Sequence, residues 1–313
     1  MLAAILGAII PTFGFVGIGW FCRRVGVWGR DAVHVLNSYA YYIALPALIF
    51  DAVFKIDFLS TATTQDLRYL LGLLLGHVIV AAIAVIATWH APRPIRAVAP
   101  MLLTFGSTAY LGIPFATFAF GAAGTAYAAI GSVVVVVAML FIALTTLNAF
   151  SQRTHHTATW QQLLELPFLW VVLAGLFLPI LGIKSLPDAL AHPIEILAGS
   201  AGPTSLLALG AFDFDLQWKR IPWRWSLPFG IGKVILCSVA TFFALKFFGV
   251  TGLPLAVGTT LAATSIAVTA FVLSEEYRTS TNVTDGAIAA SSMTALLCLS
   301  LILALWVGTG VFQ

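Results

Sequence analysis

Charge is what this chain has least of. Asp, Glu, Lys and Arg make up only 9% of its 313 residues, where a soluble domain carries about 25%. With 60% hydrophobic residues and a mean hydropathy of +1.02, a water-soluble globular class is excluded and an integral membrane protein is expected. Cysteine is scarce too: Cys22, Cys237 and Cys298 all fall in or beside apolar runs, with no Cys-x-x-Cys. They read as small buried hydrophobes, not as redox or metal chemistry. Of the histidines, His34, His90, His155, His156 and His192 lie at loop or span ends. The adjacent pair His155-His156 does not share a helical face, so these read as solvated side chains and no metal site is expected. Gly-x-Ser-x-Gly, His-Glu-x-x-His and the Walker-type glycine loop are all missing, which argues against a membrane hydrolase, a zinc protease and an ATP-driven pump. Glu275-Glu276 beside Tyr277-Arg278 reads as an exposed helix end. No enzyme activity is expected. The net charge of +3 comes from basic residues scattered through short loops, so there is no nucleic-acid footprint.

What the chain does have is long apolar runs. They fall at about 2–22, 33–54, 67–89, 97–120, 123–150, 162–182, 192–213, 226–248, 253–274 and 284–310, each long enough to span a bilayer as a helix. The expected fold is all-α, with ten transmembrane helices and the lipid bilayer as its surroundings. Residues 2–22 lack a basic leader and read as a retained first span followed by Arg23-Arg24. Arg23, Arg24, Arg30, Arg93, Arg96, Arg153, Lys219, Arg220, Arg224 and Arg278 share one side of this topology, against Lys55, Arg68, Lys184 and Lys246 on the other. The positive-inside bias puts both termini on the periplasmic or extracellular face, in a cell inner membrane.

Two of the runs are flawed as helices. Phe105-Gly106-Ser107-Thr108-Ala109-Tyr110-Leu111-Gly112-Ile113-Pro114 carries Gly106, Gly112 and Pro114 inside the fourth run. Ala262-Ala263-Thr264-Ser265-Ile266-Ala267-Val268-Thr269 is a small, hydroxyl-rich interruption in the ninth. Backbone groups cannot be left facing lipid, so a break here has to be buried in protein or line a cavity. Paired broken spans in matching halves point to a transporter's binding site.

The halves also repeat. Pro11 and Gly19 match Pro167 and Gly175, each 156 residues on, and Gly76-His77-Val78-Ile79 matches Gly232-Lys233-Val234-Ile235 at the same offset. Leu45-Pro46-Ala47 matches Gly202-Pro203-Thr204, and Ser107-Thr108 matches Thr264-Ser265, both at 157. Five spans per copy is odd, so residues 1–150 and 151–313 are expected to be inverted repeats. That is the plan of an alternating-access carrier.

The groups expected at the crossing of spans 4 and 9 are Ser107, Thr108, Tyr110, Thr264, Ser265 and Thr269, with freed amides around Ala109 and Ile266. No acid, lysine or arginine is expected there. Converging half-helix N-termini would favour a carboxylate. His77 and Lys233 are ionisable residues within spans, at equivalent repeat positions. For His77, a substrate or proton-relay role stands beside a packed neutral imidazole. For Lys233, substrate contact or a part in ion or proton coupling stands beside snorkelling to the interface. Asp51 reads equally as a paired structural carboxylate and as a proton-coupling group. Asn37, Tyr41 and Tyr42 either line the path or bond between helices.

Two strings carry a family resemblance. Leu36-Asn37-Ser38-Tyr39-Ala40-Tyr41-Tyr42-Ile43-Ala44-Leu45-Pro46-Ala47-Leu48-Ile49-Phe50 is similar to the Asn…Leu-Pro-Ala-Leu-Ile-Phe signature of the auxin efflux carrier family, and Phe105–Pro114 is similar to its Phe-Gly-Asn-Thr-x-x-x-Gly-x-Pro signature. The chain thus resembles a bacterial member. The resemblance implies a fold like that of bile-acid/sodium symporters, with spans 1, 2, 6 and 7 as scaffold and spans 3–5 and 8–10 as a moving transport domain. It also implies substrate at the crossing, small organic acids such as malonate or malate, and a homodimer. An ionisable pair in the family's third span falls at Leu73 and His77 here. Ser107 stands where the family has asparagine, and Thr264-Ser265-Ile266 lacks the family's proline, which points to a less sharply broken span 9.

The function expected is a secondary carrier of a small organic anion, working by elevator-like movement, with no cofactor and with coupling to proton or sodium left open. Ser107, Thr108, Thr264 and Ser265 would hold the carboxylate, His77 would assist, and Gly106, Gly112 and Pro114 would shape the break. A sodium-coupled symporter of the bile-acid type is ranked lower, because such an ion needs an oxygen cage and acids are scarce. A membrane ligand sensor without transport is the alternative outside transport.

Overall fold

The computed structural model describes residues 2–55, 64–151, 167–214 and 218–308. Arg153, His155, His156 and the first residues of the expected sixth run lie outside the described residues. Among those described, all regular structure is helical, apart from one isolated antiparallel bridge between Gly106 and Ile266.

The helices are α1 (Leu2–Arg24), α2 (Arg30–Tyr39), α3 (Leu45–Phe54), α4 (Thr64–Ala87), α5 (Arg93–Thr104), α6 (Ile113–Phe150), α7 (Pro167–Ile180), α8 (Asp188–Phe214), α9 (Trp223–Phe247), α10 (Gly252–Ala262), α11 (Thr269–Glu276) and α12 (Thr281–Gly308). Among the described residues, seven helical stretches are long and apolar enough to cross a membrane, with Leu169–Ile180 and Gly252–Ala262 as shorter apolar helices. Helix α6 is two helices joined at Gly121, whose backbone (φ 66°, ψ −159°) leaves the helical region and suits glycine.

Proline explains two local departures. A π turn at Ala40–Ala44 joins α2 to α3, and a second at Thr108–Gly112 leads into α6. At each one the following amide reaches back five residues, Leu45 to Ala40 and Ile113 to Thr108. Pro46 and Pro114 come next, with no N–H to give and a ring that crowds the preceding turn, so the ladder widens just before them.

Small residues let the helices close on one another. Helix α1 packs on α8 through a reciprocal pair of glycines. A Cβ at Gly19 would lie 2.1 Å from the Leu207 carbonyl oxygen, and one at Gly210 would lie 1.8 Å from that of Val16. Helix α3 packs on α7 and α8, while α9 packs on α4, α10 and α12. The buried face of α4 includes Tyr69, Leu73, Gly76, His77, Val80 and Ala84, the three-and-four spacing of one helical stripe. At one end of the molecule arginines lie over aromatic rings: Arg23 over Phe214, Arg24 over Trp20, Arg96 over Trp89 and Phe150, and Arg224 over Trp225.

Candidate functional site

Both flawed runs are interrupted. Helix α5 stops at Thr104, and Phe105 (φ −77°, ψ 88°) turns the chain out of the helix. The backbone resumes as a π turn from Thr108, after Ser107 (φ −74°, ψ 53°). Helix α10 stops at Ala262, and α11 starts only at Thr269. Span 9 is therefore broken over a longer stretch than span 4, although it has no proline there. Other elements hold it open. Ile266 N–H donates to the Ser291 hydroxyl (2.8 Å), and Ala267 N–H donates to the Phe105 carbonyl (3.0 Å).

The breaks lie antiparallel to one another. Ser107 N–H donates to the Ser265 carbonyl at 2.7 Å, completing the bridge with the Ala267 to Phe105 bond. Gly106 N–H meets the Met139 sulfur at 3.1 Å. Several of the amides expected to be free for substrate are thus used to hold the crossing together. What is left facing a ligand is the first turn of the half-helix at Thr108–Tyr110, where N–H groups have no intrahelical acceptor.

Beside the first break is a cavity of about 310 Å³, a volume suited to a small molecule. It is lined by Phe105, Gly106, Ser107, Thr108, Ala109 and Tyr110 from the first break, and by Ala267, Val268, Thr269 and Val272 from the second. The α2 side gives His34, Asn37, Ser38, Tyr41 and Tyr42, and α6 gives Val136 and Leu140. Tyr110 is tied to α2 and α8: its hydroxyl donates to the Asn37 carbonyl (3.2 Å), and its carbonyl accepts from the Ser205 hydroxyl (3.0 Å).

Of the residues expected at the site, Ser107, Thr108, Ala109, Tyr110, Thr269, Asn37 and Tyr41 line this cavity. Thr264, Ser265 and Ile266 do not. They are wholly buried behind the crossing. His77 is also buried away from it, with Nδ1 2.8 Å from the Leu73 carbonyl and the Cys237 thiol as a second partner. Gly112 and Pro114 belong to the resumed half-helix, where a Cβ at Gly112 would lie 2.7 Å from Leu261 Cδ2. Asp51 lies outside the cavity in an ion pair with Lys55 (3.0 Å), which also pairs with Glu195 (2.9 Å) across to α8. The hydrogen bond to Glu195 holds the Lys55 ammonium above its usual pKa, against the opposing effect of burial and with further support from Asp51.

Lys233 departs most from expectation. Helix α9 begins at Trp223, so Lys233 lies near its middle, and the side chain does not snorkel. It is 0% exposed, with Nζ at the second break among the Ala262 and Thr264 oxygens. A crossing expected to hold no basic group therefore contains one, delivered by a neighbouring helix.

His34 and Ser38 were not expected to line the cavity. With Asn37 and Tyr41 they fall at i, i+3, i+4 and i+7 of one stretch, and that spacing was the available signal.

Comparison with known proteins agrees with this geometry. Residues 4–159 match the family model described as "Membrane transport protein". A relative from Rhizobium meliloti (strain 1021), named "Putative malonate transporter", is 27% identical over 300 residues, covering 88% of each chain. Through that match, which contains both signature strings and the first break, the protein belongs to the membrane transport family of auxin-efflux-carrier type.

Proposed function

We propose that the protein is a secondary carrier of a small organic anion, malonate being the first candidate, and that it works by alternating access. The observation that carries this reading is the crossing itself. Two interrupted helices meet by a backbone bridge, beside a cavity walled by hydroxyls, an asparagine, a histidine and a half-helix start. A carboxylate is stabilised at a helix N-terminus by unpaired N–H groups and the helix dipole. Ser107, which lines the cavity next to that half-helix start, is the side chain assigned to add a hydrogen bond in this reading. The name of the Rhizobium relative supports the substrate class.

In this reading the chain is two inverted five-helix repeats, 1–150 and 151–313. Helices α1, α2–α3, α7 and α8 form the scaffold, and the rest form the transport domain. The packing of α1 on α8 and of α3 on α7 and α8, apart from that of α9 on α4, α10 and α12, supports the division. The cavity spans the boundary, with His34 to Tyr42 on the scaffold side and both breaks on the other. That placement suits a carrier whose substrate is sealed against one bundle and moved by the second. The arginine–aromatic contacts gather on the face that the positive-inside bias makes cytoplasmic, which supports periplasmic termini in an inner membrane. A homodimer is carried into this reading from the family resemblance.

The test is counterflow. Protein reconstituted in liposomes loaded with unlabelled malonate is expected to accumulate labelled malonate transiently, and malonate is expected to raise the melting temperature of the purified protein. Binding without exchange would make it a sensor. Neither exchange nor stabilisation by any mono- or dicarboxylate would sink the anion reading.

A further inference from the structure

A wholly buried ammonium group in a membrane protein requires compensation, because an isolated charge taken out of water is strongly disfavoured. Lys233 has an unusual form of it. The Nζ donates to the Ala262 carbonyl at 3.0 Å, to the Thr264 carbonyl, and to the Thr264 hydroxyl at 3.2 Å. None of these oxygens belongs to a carboxylate. An ammonium ion has three donors and no acceptor, so three oxygens match it one for one.

The position adds a second layer. Ala262 is the last residue of α10, and Thr264 lies in the break that follows. The final carbonyls of a helix have no intrahelical donor and form its negative end, so a cation is stabilised there. The opposite wall is Gly106. A Cβ on it would lie 2.7 Å from Nζ and 2.8 Å from Thr264 Oγ1. Only glycine lets the first break close over the ammonium, and Gly106 also lines the cavity. The charge therefore sits one backbone thickness behind the proposed anion site.

An array of carbonyl and hydroxyl oxygens at a broken helix is also what an alkali-metal ion would use. We propose that Lys233 is a tethered cation: its ammonium takes the place of a free sodium ion at the crossing, balancing the α10 carbonyl end and the incoming anion without ion coupling. The consequence for transport rests on the carrier reading above, but occupancy of the oxygen site does not, and the two can fail separately.

Purified wild type, Lys233→Ala and Lys233→Met are compared by thermal unfolding in sodium, lithium, potassium and choline chloride at equal ionic strength. Wild type is expected to melt at the same temperature in all four. Lys233→Ala leaves the Ala262 and Thr264 oxygens facing an open space. It is expected to gain about 2–4 °C in sodium or lithium over choline. Lys233→Met fills that space with an apolar chain and is expected to melt below wild type with no cation response. Sodium stabilisation of wild type, or identical melting of Lys233→Ala in sodium and choline, would overturn the proposal. A second measurement needs no variant. Malonate counterflow by wild type is expected to be unchanged when choline replaces sodium on both sides, and a loss of exchange in choline overturns the proposal. Absence of exchange in both salts counts against the carrier reading alone, leaving the melting result for Lys233→Ala to decide the cation site.

Discussion

The two breaks lie 157 residues apart, at Ser107-Thr108 and Thr264-Ser265, the spacing expected of repeated halves, yet they are built oppositely. The first is short, is followed by a π turn and Pro114, and opens its residues to the cavity. The second is long, lacks proline and buries Thr264 and Ser265 completely. Local chemistry interrupts the first. Tertiary partners hold the second open: Lys233 on its carbonyls and Ser291 on the Ile266 amide. Equivalent sequence positions thus carry different duties. In the proposed carrier the first break would offer its polarity to a solute, whereas the second has its polarity consumed inside the protein.

Gly106→Val attacks both breaks at once and is expected to have the largest effect. The new side chain would collide with Lys233 Nζ and Thr264 Oγ1, and the overpacking with loss of ammonium contacts is expected to destabilise by at least about 3 kcal/mol. Yield of monodisperse protein and its melting temperature would show this. A melting temperature like that of wild type would mean that the crossing is looser than described.

The asymmetry itself is tested by a matched pair. Ser107→Ala is expected to weaken malonate binding about tenfold, the equivalent of one hydrogen bond to a charged group at about 1.4 kcal/mol, with unchanged melting of the free protein. Ser265→Ala is expected to leave affinity alone, and to leave stability nearly alone, since its hydroxyl is buried without a hydrogen-bond partner. Titration of both variants by ligand-dependent melting decides it. Equal losses of affinity would restore the symmetric site.

Smallest of all is the expected effect of Asp51→Asn. The Asp51–Lys55 pair is partly exposed, with the lysine side chain 54% accessible, so its loss is expected to lower stability by less than about 1 kcal/mol. Exchange of malonate, and its pH dependence, are expected to match wild type. An altered pH profile would return Asp51 to a proton-coupling role.

The all-helical membrane character, most of the apolar runs and the first break were legible in the sequence, because the bilayer imposes length and composition on each helix separately, and because proline and glycine act locally. Lys233 was misjudged for a different reason. Its distance from the interface depended on where α9 starts, and its partners sit about thirty residues away in sequence, at the end of α10 and in the break that follows. His34 was set aside as a loop-end residue, although its spacing from Asn37 and Tyr41 already placed it on their face. The length of the second break could not be read from residues 262–269 alone, since Ser291 and Phe105 hold it.

The bridge between Gly106 and Ile266 has a mechanical corollary. Pulling the strands apart would strand two N–H groups and two carbonyls in hydrocarbon, at several kcal/mol each. Both half-helix pairs are therefore riveted into one rigid piece at its midpoint. If the protein is the carrier proposed above, whatever slides across the bilayer would take the berth along with its passenger, and the gate would be the seam with α2.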